Sequence, residues 1–149
     1  MVGNSDILWV TLESVRADHT PMYGYERNTT PFIDSLAGSP DSTVLENCIS
    51  QSMWTPASTA SILTGTYLST HNVGRDGKVK RKLHSSLDTL PGVLSEAGYE
   101  TALFSPSSYI SDATGLNSGF NHSELIKLRK ENFAKFDETG LLSWKLAFK

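Results

Sequence analysis

Along this chain, short apolar runs alternate with segments of helical periodicity, and the alternation predicts the elements. Residues 6–12 (DILWVTL) are nearly continuous in large and β-branched side chains, the pattern of a strand covered on both faces in a parallel sheet. Polar residues with Pro21, Gly24 and Pro31 follow and predict a loop. PFIDSLAG then predicts a brief helix with Thr30 as its cap, and residues 43–49 a second strand. Thr55 followed by Pro56 fits the cap and first position of a helix that runs through ASTASIL and stops at Gly65. Residues 73–87 are polar, with Gly74, Gly77 and a basic cluster of Lys78, Lys80, Arg81 and Lys82, and read most simply as a solvated surface loop, with an anion site as the alternative. In residues 88–97, Leu90, Val93, Leu94 and Ala97 recur at helical spacing. Gly98 is the stop, and YETALFS is a further buried strand. Residues 124–149 carry amphipathic helical material broken at Gly140, with an apolar face that includes Phe133, Phe136, Leu141, Leu142, Trp144 and Phe148. Strand, helix and strand in alternation predict an α/β fold with a mostly parallel sheet flanked by helices, and no internal repeat competes with it.

Composition narrows the class. A chain of 149 residues with 38% apolar content is long enough for one domain with a core. Thirteen basic against sixteen acidic side chains leave a formal charge of −3, too weak a field to gather nucleic acid or anionic lipid, so neither is expected as a partner. Cys48 is the only cysteine, which excludes an intrachain disulfide and a cysteine zinc site; its setting in TVLENCIS predicts a small buried apolar group. MVGNSD lacks the basic and apolar regions of a signal peptide, and no apolar run approaches the roughly 18 residues of a membrane span, so a cytoplasmic protein is expected.

The candidate chemistry lies at the ends of these elements. A hydroxyl at a helix N-terminus, as on Thr55, faces unpaired backbone N–H groups and the positive end of the dipole, and a nearby divalent ion would turn it into a nucleophile. A threonine before a proline is equally a plain helix cap. Glu13 sits just past the carboxyl end of the first predicted strand, where ligands gather in open α/β sheets. Asp18 and His19 add two further donors, although acidic residues in such loops also cap turns or bind solvent. His71, His84 and His122 show no spacing that places two imidazoles on one helical face and read as surface or packing residues. No GxSxG elbow surrounds Ser58, Ser61 or Ser69, and neither a phosphate-binding P-loop nor a GxGxxG fingerprint is present.

The order of pieces carries more information than any one of them: ILWVTLESVRADH, GYERNTTPFIDSLA, WTPASTASILTGTYLSTHNV, TLPGVLSEAGYETALFS and GLNSGF. Over about residues 6 to 122 this order resembles the N-terminal region of the sulfatase family, in the alkaline phosphatase-like superfamily. The resemblance implies a metal-dependent hydrolase of sulfate or phosphate esters acting on a small-molecule ester. In the family the first strand ends in a metal-binding carboxylate and the nucleophile opens a helix that closes on a TG pair. Carried over by position, Glu13 is the counterpart of the first metal-binding carboxylate, Ser14 of a second ligand, and Thr55 of the nucleophile and a further ligand. The implied cofactor is a divalent ion: calcium, magnesium, manganese or zinc.

Three departures shape that expectation. Glu13 stands where the family usually has Asp, one methylene longer. Sulfatases carry CxPxR or SxPxR and convert the first residue to formylglycine, whereas this window reads Thr55, Pro56, Ala57, Ser58, Thr59, so no formylglycine can form. Superfamily relatives that keep threonine, including nucleotide pyrophosphatases, attack phosphorus directly, which moves the expected substrate toward phosphate esters. Complete members resemble chains of several hundred residues whose remaining Asp, His and Asn ligands come later. The 149 residues are therefore expected to be the N-terminal part of such a domain, with the apolar face of residues 124–149 covered by a further C-terminal segment or another chain such as a second copy, or else left to solvent. The competing expectation is a truncated or degenerate, non-catalytic piece that serves binding or assembly.

Overall fold

The computed structural model describes residues 5–75 and 81–126, and the chain divides into two compact units, Met1–Ile49 and Ser50–Lys149. In the first, two 3-10 turns, Ala17–His19 and Pro21–Tyr23, precede helix α1, Pro31–Ala37. Pro31 opens α1, where its missing N–H costs nothing. Thr30 occupies the cap position as expected, but its hydroxyl donates to the Asp34 carboxylate at 3.2 Å rather than capping a backbone N–H. The other Asp34 oxygen accepts from the Met22 backbone N–H at 3.1 Å, fastening α1 to the second 3-10 turn.

Residues 6–12 do not form the expected strand, and neither do residues 43–49. Ile7, Leu8, Trp9, Val10 and Leu12 are all exposed. An apolar run raises strand propensity, but a strand exists only where a neighbour supplies the ladder. Cys48 is likewise exposed, contrary to the buried setting expected from its apolar neighbours; burial depends on what lies across from a residue, and Ile49 beside it is 79% exposed.

The second unit holds helices α2 (Thr55–Thr64), α3 (Leu68–His71) and α4 (Leu90–Glu96) and strands β1 (Ala102–Ser105) and β2 (His122–Leu125). The strands pair in parallel, Ala102 opposite His122 through Ser105 opposite Leu125, so this is an α/β unit with a two-stranded parallel sheet and helices. Asn121 pins the start of the sheet. Its Oδ1 accepts from the Thr101 backbone N–H and hydroxyl, both at 2.8 Å, and its Nδ2 donates to Ser95 Oγ at 3.1 Å. Glu124 and Leu125 therefore belong to a strand, not to the expected helical segment, whose remainder beyond Ile126 lies outside the described residues.

Helix α2 buries Pro56, Ala57, Ala60 and Ser61, a stripe at spacings of three and four whose small side chains let other chain segments approach closely. Ala60 joins Val73, Leu83 and Leu116 in the core, with Leu63, Leu87 and Ile110 packed around it. Val73 and Leu83 correct the reading of residues 73–87 as a purely solvated loop, since both side chains are buried in the core. Leu83 is held further by its N–H donating to the Thr114 carbonyl at 2.8 Å. Each fully buried aliphatic side chain of this kind stabilises by about 1.5–3 kcal/mol. Lys78, Lys80 and Gly77 lie outside the described residues.

Gly65, at φ +65°, ends α2 as expected. Helix α4 begins after Thr89, whose Oγ1 accepts from the Gly92 N–H at 3.3 Å while its hydroxyl donates to the Ser118 carbonyl at 3.1 Å. One hydroxyl thus both caps the helix and ties it to the turn before β2. Among the described residues, no helix is long and apolar enough to cross a membrane.

Candidate functional site

Thr55 is the first residue of α2, not its cap. Trp54 takes the cap position with extended backbone (φ −144°, ψ 152°), and the first intrahelical bond runs from the Ser58 N–H to the Trp54 carbonyl at 3.1 Å. The shift is one residue, because proline tolerates either of the first two helical positions and cannot by itself set the start. Thr55 is half-buried, at the end of a ten-residue helix where the dipole favours an arriving anion.

The residue before Thr55 is held tightly. Gly74, at φ +74°, lies against the Trp54 indole; a Cβ there would stand 2.6 Å from Cζ2 and 2.9 Å from Cε2. On another side, the Tyr109 ring meets Trp54 edge-on, centroids 6.2 Å apart at 70°. Trp54 opens the run WTPASTASILTG, yet nothing in the local pattern pairs it with Gly74 or Tyr109, since those contacts depend on two separate turns.

Glu13 and Ser14 form a turn in the first unit, and both are exposed. Ser14 adopts φ +59°, a left-handed conformation that non-glycine residues enter at a cost, and such positions concentrate at functional sites. Just beyond, Arg16 Nε donates to Asp18 Oδ1 at 3.0 Å and His19 Nδ1 lies 3.0 Å from the same oxygen. The Arg16 hydrogen bond, followed by that from His19, holds the Asp18 carboxyl down at about 2. The His19 ring also packs on Tyr25, centroids 4.8 Å apart. Asp18 and His19 are thus engaged with each other and with Arg16.

The remaining histidines go separate ways. His84 Nδ1 meets Ser86 Oγ at 2.7 Å, and His122 Nε2 pairs with Glu100 at 2.7 Å on an exposed edge. His71 is buried: its Nε2 lies 2.9 Å from Ser61 Oγ and its Nδ1 accepts from the Val73 N–H at 3.1 Å. Since Nδ1 is the acceptor, the ring proton sits on Nε2 and points at Ser61. A general base for serine needs the opposite arrangement, so this contact is a packing arrangement and no hydrolase dyad. Ser58 bonds Ser50 at 2.8 Å. Among the described residues, no group of three or more His, Cys, Asp or Glu could hold a metal ion.

A family model described as Sulfatase matches residues 5–138. The chain belongs to the sulfatase family. No curated protein and no solved structure matches it. Sulfatase domains hydrolyse sulfate esters of small molecules in general, and the family usually employs a divalent metal. The match spans Glu13, Ser14 and Thr55, the three positions that the motif order singled out. Glu13 carries a carboxylate and Ser14 and Thr55 carry hydroxyls, each taken singly a hard oxygen donor of the type a divalent ion accepts.

Proposed function

We propose that this sulfatase-family chain hydrolyses sulfate or phosphate esters with Thr55 as the nucleophile. The observation that supports the reading is a threonine hydroxyl opening a ten-residue helix within the stretch matched to the sulfatase family, in a block that resembles the family's nucleophile-bearing one. The N-terminal backbone N–H groups of α2 favour the ester's anionic oxygens, and Trp54, wedged against Gly74, fixes the approach of the chain to Thr55. Thr55 Oγ1 forms a bond to phosphorus or sulfur as the ester's alcohol oxygen departs and takes up a proton. Water then cleaves the threonine ester and restores the hydroxyl. Glu13, Ser14 and Thr55 each carry a hard oxygen donor of the type that binds a divalent ion, and such an ion would supply Lewis-acid polarisation of the ester and ease loss of a bound hydroxyl's proton. Threonine cannot become formylglycine, which favours phosphate over sulfate.

The experiment is turnover of one aryl phosphate and one aryl sulfate, with and without added magnesium, calcium, manganese or zinc. Thr55→Ala should lower kcat by on the order of 10³-fold or more, the scale of removing a covalent nucleophile. Glu13→Gln should raise the metal concentration needed for half-maximal rate. Unchanged turnover in both variants would overturn the assignment. Metal-independent absence of turnover in the parent chain would instead favour a non-catalytic binding piece, a reading supported by Thr59 standing where the family's formylglycine motif has arginine.

A further inference from the structure

His71 has a role to play that the proposed hydrolysis does not use. It closes α3, is 4% exposed, and spends both ring nitrogens on neighbours: Nε2–H donates to Ser61 Oγ on α2 at 2.9 Å, and Nδ1 accepts from the Val73 N–H at 3.1 Å. Val73 is itself fully buried, in the core cluster with Ala60 of α2, Leu83 and Leu116. The imidazole therefore fastens the turn after α3 to helix α2 and orients a core residue two positions on.

We infer that Ser61, His71 and Val73 form an acid-operated latch: a neutral His71 ring holds the turn after α3 onto α2, and a proton arriving at Nδ1 releases it. The added proton turns the acceptor into a second donor facing the Val73 N–H, so a buried N–H loses its partner and a charge is left with little access to water. The surroundings give that charge no relief. Helix α2, which meets the ring through Ser61, carries no charged or acidic side chain along its length. An open cavity that His71 lines is bordered also by Arg81, Lys82 and His84, and no carboxylate is among its described lining residues. Burial accordingly lowers the His71 pKa from its ordinary value. With a lowered folded value, the latch is at full strength above the unfolded histidine value of about 6.5 and weakens as pH falls below it. The latch stands independently of the hydrolase reading, and its test needs no turnover.

The test is NMR of the full chain from pH 8 to pH 4.5, with ring ¹⁵N shifts of His71 resolved from those of His19, His84 and His122. His71 should be the neutral Nε2–H tautomer at pH 8. The opening equilibrium of the Val73 amide, from hydrogen exchange corrected for intrinsic rate, should rise up to tenfold per pH unit below about 6.5, the slope set by one linked proton. In His71→Asn, the shorter amide oxygen can still accept from the N–H two residues on, as in an Asx turn, but carries no titrating group; the pH dependence should vanish. If that variant fails to fold, the parent's tautomer and exchange slope still decide. An Nδ1–H tautomer at pH 8, a His71 imidazolium with Val73 protection unchanged, or the same pH slope in the Asn variant would overturn the latch.

Discussion

Replacing Gly119 by alanine tests whether the Thr89 hydroxyl joins α4 to the turn before β2 as described. Gly119 sits at φ +88°, and a Cβ there would stand 2.4 Å from Thr89 Oγ1, 2.6 Å from the Gly92 nitrogen and 3.0 Å from Gly92 Cα. The first atom is the cap of α4 and the other two are helix backbone, so neither can swing aside cheaply. A left-handed non-glycine residue costs about 1–2 kcal/mol, and loss of a cap costs about 1 kcal/mol. Forcing a methyl into packed atoms adds about 1–3 kcal/mol. The loss should therefore be roughly 3 kcal/mol or more, a large share of the 5–15 kcal/mol typical of a domain. Urea denaturation supplies the global value. Hydrogen exchange at the Val93 and Ala97 amides, which bond to Thr89 and Val93 carbonyls at 2.9 and 3.1 Å, locates it; their opening should become on the order of 100-fold more frequent. Thr89→Ala alone should cost only about 1 kcal/mol. The double variant should stay well below Thr89→Ala in stability, because removing Oγ1 leaves the Gly92 nitrogen still in the way. A Gly119→Ala loss under about 0.5 kcal/mol, the level of an ordinary surface change, would refute this account of the junction.

Two further outcomes are expected. Gly74→Ala should displace the Trp54 indole and destabilise by about 2–5 kcal/mol from left-handed strain and crowding together. Trp54 emission, isolated by difference against Trp54→Phe because Trp9 and Trp144 also emit, should shift to longer wavelength, and an unmoved spectrum would deny the contact. Arg16→Ala should raise the Asp18 carboxyl from about 2 toward its ordinary 3.8, read from side-chain ¹³C shifts in an acid titration. Because the folded value is lowered, the pairing's support is present above about pH 4 and lost as pH falls toward 2; a titration unmoved by the substitution would show that Arg16 is not the cause.

Some of this architecture was written in local residues. Pro56 and Gly65 bracket α2 because a missing N–H and a left-handed stop act within a turn or so of themselves. The periodicity ending at Gly98 marked α4, and YETALFS contained β1, since both patterns are read within one element. The family followed from several blocks in order and was confirmed over residues 5–138. Tertiary structure alone decided whatever depends on a distant partner. The apolar run at residues 6–12 is no strand, because its ladder must come from elsewhere in the chain. Val73 and Leu83 enter the core from a polar stretch, and His71 is buried because Ser61 on another helix meets its ring. Thr55 lies one residue inside α2 because Trp54, clasped by Gly74 and Tyr109, remains extended and takes the cap position itself. Turn and cap chemistry acts over a few residues and can be read in sequence. Pairing and burial are set by groups that only folding brings together.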